Sequence, residues 1–344
     1  VRRKKAELAP ENEANELSDL KLKTVLDACE DKYGKGTIML AGVTTSMGIE
    51  RVSLNHSALD EILGGGIPLG RIIEVYGPPS SGKTSLALDF ISAFQRSGHR
   101  SAFIDVEHAL DPAYAAAVDV DIDSLLISQP NSAEQALDIM EMLVKSDAVG
   151  LIVIDSVDAL VPQAVIDGEV GDITVAALPR ILGPVVRKIN ALIGKSKCVI
   201  IFINQERSNI KMSKYEAGPD KVTSGGASIP YYASVRLETK RKEILYKTVS
   251  GDKIPVGQIS TVNARKNKVG IPYKKCEVEL RYPVLGQRAG IDRIAPFVNA
   301  ALDSGKIVQS GSWFSDAEGN RIAQGRDNLI KALSESPELL ETLK

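Results

Sequence analysis

Cysteine is scarce. The 344-residue chain has three, Cys29, Cys198 and Cys276, an odd number with no short metal-ligand spacing. That argues against a disulfide scaffold and leaves a reduced, cytoplasmic setting as the expectation. Long apolar runs are missing as well. No stretch approaches the roughly 18 consecutive apolar residues of a spanning helix, so no membrane partner is expected. The opening Val1-Arg2-Arg3-Lys4-Lys5 has no apolar signal-peptide core. The three histidines, His56, His99 and His108, show no ligand spacing and fit no hydrolase triad. Net charge is only −2, from 42 basic and 44 acidic residues. This neither requires nor excludes a nucleic acid, because local charge does the tracking of a backbone.

What is present is the composition of a globular chain, 44% hydrophobic and 25% charged. Residues 1–20 are polar, with Glu7, Glu11, Glu13 and Glu16, and read as a loose arm. Leu17–Lys32 has helical spacing, and Tyr33-Gly34-Lys35-Gly36 then leads into a short apolar piece, Thr37–Leu40. Such a helix and strand cannot bury both faces alone; they dock on the core or on a neighbouring copy. From about 50 to 265, apolar strands alternate with amphipathic helices. The strands are expected at Arg71–Tyr76, Ser101–Asp105, Leu125–Ser128, Leu151–Asp155, Val199–Asn204, Ser234–Lys240 and Ile259–Ala264, and helices at about 84–96, 111–118, 132–146 and 176–195. Near-continuous apolar strands such as Leu151-Ile152-Val153-Ile154 predict an α/β core with a mostly parallel sheet covered on both faces. The later strands read as an antiparallel edge. Beyond about 284 a small, helix-rich module surrounds Trp313.

The strongest local signal is Gly77-Pro78-Pro79-Ser80-Ser81-Gly82-Lys83-Thr84, followed by Ser85. It satisfies G-x-x-x-x-G-K-[ST] directly after a strand and at the start of a helix, the context this phosphate loop requires. Gly77 and Gly82 let the backbone curl so that successive N–H groups face a phosphate, and the helix start adds partial positive charge. Lys83 can reach the β- and γ-phosphates of ATP, and Thr84 can place its hydroxyl on Mg²⁺. Asp155, ending its strand, reads equally as a helix cap or as the acid that supports Mg²⁺ through water; the loop tips the balance to Mg²⁺. Glu107 follows another strand. By composition it is a surface acid, by position a carboxylate able to polarise water. Arg265, Lys266, Lys268, Lys274 and Lys275 share a window, 264–275, without an acid; on charge alone this is a solvated basic face.

Several stretches, in order, resemble bacterial RecA recombinases. They are Tyr33–Met39, Asp105-Val106-Glu107-His108-Ala109-Leu110-Asp111-Pro112, Gly168–Asp172, Phe202-Ile203-Asn204-Gln205, Tyr232–Leu237, Lys266-Asn267-Lys268, Gly311–Phe314 and Gln324–Asn328. The resemblance runs from about residue 20 to 335. It implies a RecA-type P-loop ATPase core (49–283), an N-terminal helix-strand oligomerisation arm (1–48) and a small α+β C-terminal domain (284–344). It implies a DNA-dependent ATPase that forms a helical filament on single-stranded DNA and exchanges strands with double-stranded DNA. With that come DNA repair, the SOS response with a LexA-type repressor, recombination mediators and a nucleoid-associated location. Glu107 would be the base that orients water. Asp111 and Tyr114 would hold adenine, with Tyr282 covering it from the adjacent subunit. Gln205 would meet the γ-phosphate, and Lys266 and Lys268 would reach the neighbour's γ-phosphate as an arginine finger does. DNA would be met by a first loop at about 167–176, with Val175, and by Arg180 and Arg187 on the following helix. A second loop at about 206–226 would add Arg207, Lys211, Tyr215 and the backbone freedom of Gly225 and Gly226.

The chain departs from the family's pattern at Pro79, where Glu is usual, at Ile173-Thr174-Val175 in place of Ser-His-Met, and at Gly183 and Ala227. Pro179 and Pro184 are expected to bend or shorten the helix after the first loop. These differences fit a divergent member, phage- or plasmid-borne. They also keep two alternatives open: an ATP-switched DNA coat with weak strand exchange, or another RecA-fold motor, helicase-like.

Overall fold

The computed structural model describes residues 10–34, 37–38, 48–169, 176–208, 221–286 and 288–343. Two units divide at residue 49, Val1–Ile49 and Glu50–Lys344.

In the first unit, helix α1 spans Pro10–Tyr33. It begins within the stretch expected as a loose arm. Polar composition suggested disorder there, but the stretch begins with Pro and is rich in Ala, Glu and Leu, and Pro is tolerated at a helix start while the others are strong helix formers. Leu20, Leu22 and Val25 are exposed on it. The strand expected at Thr37–Leu40 falls largely outside the described residues.

The second unit starts with β1 (Arg51–Val52), α2 (Ser57–Leu63) and β2 (Ile67–Pro68), then β3 (Ile72–Gly77), α3 (Lys83–Arg96), β4 (Ser101–Asp105), α4 (Pro112–Ala117), β5 (Leu126–Ser128), α5 (Ala133–Ser146) and β6 (Leu151–Asp155). After a 3₁₀ turn at Val157–Ala159 come α6 (Gln163–Ile166), α7 (Ala177–Ser196), β7 (Val199–Ser208), β8 (Lys221–Thr223) and α8 (Ser228–Tyr232). Strands β9 (Val235–Val249), β10 (Asp252–Asn267), β11 (Lys275–Arg281) and β12 (Gly290–Ile291) complete a sheet ordered β12-β11-β10-β9-β3-β7-β6-β4-β5, with β8 attached to β7. The six strands from β9 to β5 in that order run parallel, and β10, β11 and β12 are antiparallel, so the expected α/β core with an antiparallel edge is present.

Strand alternation sends neighbouring side chains to opposite faces. Ile73, Val75, Leu151, Val153 and Ile201 join Phe90 and Phe94 of α3 in one core. Ile72, Ile152, Ile154, Ile200 and Phe202 face Leu137 and Met140 of α5 and Leu182, Val186, Ile189 and Ile193 of α7 in the other. That α7 stripe explains why two prolines fail to shorten the helix, which continues unbroken for 20 residues. Pro179 sits in the first turn, where no N–H partner is lost. Pro184 is exposed and costs about 3 kcal/mol, against roughly 6 kcal/mol or more from burying four aliphatic side chains.

Two strands are much longer than their apolar patterns suggest. From Lys240 on, β9 is largely exposed and rich in charge, and it is joined to β10 by Ser250-Gly251, both at positive φ (53° and 96°), as a two-residue hairpin turn requires. At the C-terminus, α9 (Ile294–Asp303), the antiparallel strands β13 (Ile307–Ser310), β14 (Trp313–Asp316) and β15 (Arg321–Gln324), and helices α10 (Arg326–Glu335) and α11 (Pro337–Leu343) pack around Phe314, Leu329 and Leu333. Trp313 is not the centre of this core: it lies on the outer face under the Arg321 guanidinium, 4.9 Å away. Phe314, one residue along the strand, points inward instead.

At the start of α9, Arg293 reaches back to α3. Its guanidinium meets Asp89 at 2.5 Å and the Leu54 carbonyl at 2.8 Å. Asp89 is 1% exposed, so its charge depends on that partner. Arg293→Ala leaves a buried carboxylate unpaired and is expected to lower stability by about 3 kcal/mol; an unchanged urea midpoint would contradict this account.

Candidate active site

The carboxyl ends of the central parallel strands converge at one edge, where β3 ends at Gly77, β7 passes Gln205, β6 ends at Asp155 and β4 at Asp105. Such an edge is where open α/β sheets hold ligands. From Gly77 the chain folds into a turn and enters α3. A Cβ on Gly77 would lie 2.2 Å from the Thr239 carbonyl of β9, and one on Gly82 would lie 2.2 Å from Leu280 of β11. The turn therefore rests on the sheet as bare backbone at both points. Ser81 holds it there through a 2.7 Å hydrogen bond between its hydroxyl and that of Thr239. The first N–H groups of α3 point out of this turn without helical partners, which makes the turn an anion cradle. Lys83, largely buried, folds back over it and donates to the carbonyls of Gly77 (3.1 Å) and Pro78 (2.9 Å). Burial lowers its pKa, while Asp155 and Glu107 work the other way.

Thr84, the next residue, donates to Asp155 at 2.7 Å. The Asp155 carboxyl is pushed up to about 6, first by burial and further by the Glu107 charge, against the opposing Thr84 hydrogen bond. A buried carboxylate beside a hydroxyl, short of positive charge, is a pair of hard oxygen donors that a divalent cation would stabilise. Among the described residues, no group of three or more His, Cys, Asp or Glu is placed to hold a metal by itself.

Glu107 stands on a loop wrapped around Asp105. The buried Asp105 carboxylate accepts from the N–H groups of Ala109 (3.1 Å) and Leu110 (3.2 Å) and from Gln129 (3.0 Å). The N–H groups of Val106 and Glu107 donate to the Asp155 carbonyl at 2.8 and 3.2 Å. Ser156 then donates to the Glu107 carboxylate. The acid is exposed yet aimed, because its loop is tied at both ends. Gln205 is the direct sheet neighbour of Gly77; its N–H donates to Asn204 at 2.9 Å, and Asn204 donates to Glu74 (3.0 Å) and to the Ser224 carbonyl (2.9 Å).

On the opposite side, the Tyr114 hydroxyl pairs with Ser85 at 2.7 Å, and Asp111 caps α4 by accepting from Ala113 at 2.8 Å. Tyr282 influences Tyr114 electrostatically, and its hydroxyl donates to Gln258 of β10 at 2.9 Å; β11, which ends just before it, pairs with β10.

The lysines are elsewhere. Lys266 donates to the carbonyls of Pro230 (2.7 Å) and Tyr231 (2.9 Å), and Lys268 to Tyr231 at 3.3 Å. These are unpaired acceptors at the end of α8. Lys266 pairs with Arg236, three residues before Thr239 on β9, which sets it roughly 10 Å back from the phosphate turn along the strands. Burial, with Lys268 and Arg236 nearby, lowers the Lys266 pKa to about 8.

The residues expected to meet DNA are more constrained than their sequence suggests. Arg180 and Arg187 are exposed on α7, with Arg187 donating to the Tyr232 hydroxyl at 3.1 Å. The stem of the second loop is ordered, since Glu206, Arg207 and Ser208 pair with Thr223, Val222 and Lys221. Arg207 is engaged in a two-pronged contact with Asp158 at 2.6 and 2.7 Å, and Ser224 donates to the same carboxylate. Gly225 and Gly226 adopt positive φ (82° and 79°), and a Cβ on Gly225 would lie 2.7 Å from Leu182 and 2.9 Å from Val157. At Gly225 the positive φ and the close packing both call for glycine. Val175, Lys211 and Tyr215 lie outside the described residues.

A family model for the RecA N-terminal domain matches residues 20–286, and one for the RecA C-terminal domain matches residues 296–344. The chain belongs to the RecA family. The curated Protein RecA of Nostoc punctiforme is 46% identical over 323 residues, covering 94% of this chain and 86% of that protein. That of Crocosphaera subtropica is 44% identical over 320 residues (93% and 88%), and that of Synechococcus elongatus 43% over 337 (98% and 89%). As a bacterial-type RecA, the chain is a recombinase of homologous recombination and a DNA-dependent ATPase that binds nucleotide and DNA and self-associates. Among its described residues, no helix is long and apolar enough to cross a membrane.

In this chain the phosphate turn, Asp155, Glu107, Gln205, Tyr114 and Tyr282 converge, whereas Lys266 and Lys268 do not. Sequence reasoning missed Asp105, Ser156, Thr239 and Asp158. Only the strand-end position of Asp105 carried any signal; the others are ordinary polar residues until folding brings distant segments together. Gly77→Ala drives a methyl into the fixed Thr239 carbonyl and is expected to weaken nucleotide binding at least about tenfold. Calorimetric titration giving an unchanged Kd would overturn the close-approach argument.

Proposed function

We propose that this edge binds ATP with Mg²⁺ and that each site is completed by the next copy in a helical filament on single-stranded DNA. The observation that carries the reading is the separation just described: water-orienting and phosphate-cradling groups stand together, while the two lysines of the same chain face away. The N–H groups from Gly77 to Ser85, including those of Ser80, Ser81 and Gly82, and the Lys83 ammonium hold the phosphates. Pro78 and Pro79 stiffen the turn without needing to donate. Thr84 and, through water, Asp155 hold Mg²⁺, which when bound offsets phosphate charge. Glu107, oriented by Ser156, accepts a proton from the attacking water. Gln205 meets the γ-phosphate and passes its presence to the β7–β8 stem. Tyr114, Tyr282 and Asp111 enclose the base. Lys266 and Lys268 act on the neighbouring copy's γ-phosphate, where two cations are worth about 10³-fold or more in rate.

Arg180, Arg187 and Arg207, with Val175, Lys211 and Tyr215, contact DNA, mainly its phosphates; Gly225 and Gly226 shape the second loop. Homology is then tested by base pairing between the bound strand and a duplex. A LexA-type repressor and recombination mediators are further partners in a cytoplasmic, nucleoid-associated setting. The 1–48, 49–283 and 284–344 segments serve as docking arm, ATPase core and accessory domain.

ATP hydrolysis is expected to be negligible without single-stranded DNA and strongly stimulated by it. Lys268→Ala and Glu107→Gln should each abolish turnover, and mixing them should restore part of it, because some junctions regain one complete site. Full turnover without DNA, or no restoration on mixing, contradicts the shared site.

The Arg207–Asp158 pair is exposed on the arginine side, and such pairs are worth at most about 1 kcal/mol, so a DNA phosphate can replace Asp158. Asp158→Ala frees the guanidinium in advance. It is expected to tighten single-stranded DNA binding at low salt and to steepen the salt dependence by about 0.7 in log–log slope, one phosphate's worth. Anisotropy titrations with an unchanged slope would remove Arg207 from the DNA contacts.

A further inference from the structure

Beneath the phosphate turn lies a line of buried polar groups that the expected chemistry leaves without a role. The Tyr282 hydroxyl donates to the Gln258 side-chain carbonyl at 2.9 Å, the Gln258 amide donates to the Ser260 hydroxyl at 2.8 Å, and Ser260 donates to the main-chain carbonyl of Ser81 at 3.0 Å. Gln258, Ser260 and Ser81 are 4%, 1% and 1% exposed. Every donor points the same way, from tyrosine towards the turn, so each bond polarises the next.

Local structure dictates this line. Gln258 and Ser260 are two apart on β10 and thus share one face of the sheet. A Cβ on Gly257 would lie 2.6 Å from the Leu280 carbonyl, so only glycine lets β11 approach closely there. The Tyr282 N–H then donates to the Val256 carbonyl at 2.9 Å, which seats its ring at the end of β11. Gly82 lacks a side chain where a Cβ would stand 3.2 Å from the Gln258 amide, so the turn lies directly on the glutamine. The far end of the line belongs to the pocket side opposite the phosphates. Tyr114, bonded to Ser85 just after the turn, has its pKa pushed up by burial, with a smaller contribution from Tyr282.

We propose that Gln258 and Ser260 are positioning residues that link the tyrosine side of the pocket to the phosphate turn, so that Tyr282 sets how well the turn grips phosphate although it is three hydrogen bonds away. Ser81 is held twice, by its hydroxyl to Thr239 and by its carbonyl to Ser260. A shift of the line tilts the peptide that joins Ser81 to Gly82 and re-aims the N–H groups that follow.

This inference rests on the nucleotide-site reading, and the experiment separates the two. Binding of a fluorescent ADP analogue with Mg²⁺ is measured on the full chain without DNA, and inorganic pyrophosphate is titrated as competitor. Pyrophosphate has no base, so a tyrosine that only touches the base cannot affect it. Tyr282→Phe keeps the ring and deletes the donor. It is expected to weaken pyrophosphate and ADP alike, by about fivefold, the net worth of one hydrogen bond. Ser260→Ala should do the same, and the double variant should be no weaker than either single one, because both cut one line. Gln258→Leu should match them if it folds; the two lighter variants decide the matter if it does not. Loss of ADP affinity in Tyr282→Phe with pyrophosphate unaffected, effects that multiply in the double variant, or no effect at all would each overturn the proposal. A wild-type chain that binds neither ligand would instead overturn the nucleotide site itself.

Discussion

The structure depends on one close approach: a turn of main chain laid directly on the edge of a sheet. Where Gly77 and Gly82 meet the sheet, a single methyl group would overlap Thr239 or Leu280. Contact at that distance fixes the direction of the N–H groups at the start of α3, and direction is what turns a helix terminus into a strong anion site. The apolar cores on both faces of the sheet hold β3 and α3 rigidly enough to maintain that contact, since packed interiors resist small displacements.

Around the turn, polar residues buried in the sheet join parts that are distant in sequence. Glu74, fully buried, receives Asn204 and Arg236, and Arg236 lies 4.6 Å over the Tyr76 ring. Asn204 also holds the Ser224 carbonyl, while the Ser224 hydroxyl donates to Asp158, just after Asp155 and Ser156 in the chain. The strand ends at the phosphate edge and the stem of the second loop therefore share one network. Unpaired groups in such a network are costly, so its members move together or not at all.

The two lysines illustrate a different economy of placement. Their partners are helix-end carbonyls, weaker than carboxylates, and burial together with the neighbouring Lys268 and Arg236 charges lowers the Lys266 pKa. A cation held this loosely is ready to be claimed by an external anion. Arg207 is in the contrasting position, already matched by Asp158.

The alternation of apolar strands and amphipathic helices, the phosphate motif and the ordered family stretches were all legible in the sequence, because each depends on local periodicity or on short spacing. The sheet strands from β3 to β7 start within a residue or so of the positions that their apolar runs suggested. Length was misjudged wherever the local pattern is weak: the charged outer part of β9 lacks the apolar alternation that marks a strand, and the sequence at the start of α1 is mostly polar. The α7 prolines misled because burial of the opposite face outweighs a local defect. Tertiary structure alone decided that Tyr282 bonds Gln258, that Arg207 is paired, that Gly225 packs against Leu182 and Val157, and that Asp105 and Ser156 hold the Glu107 loop. Each of these is a pairing across tens to hundreds of residues, set by strand order and register, and no short window of sequence contains both partners.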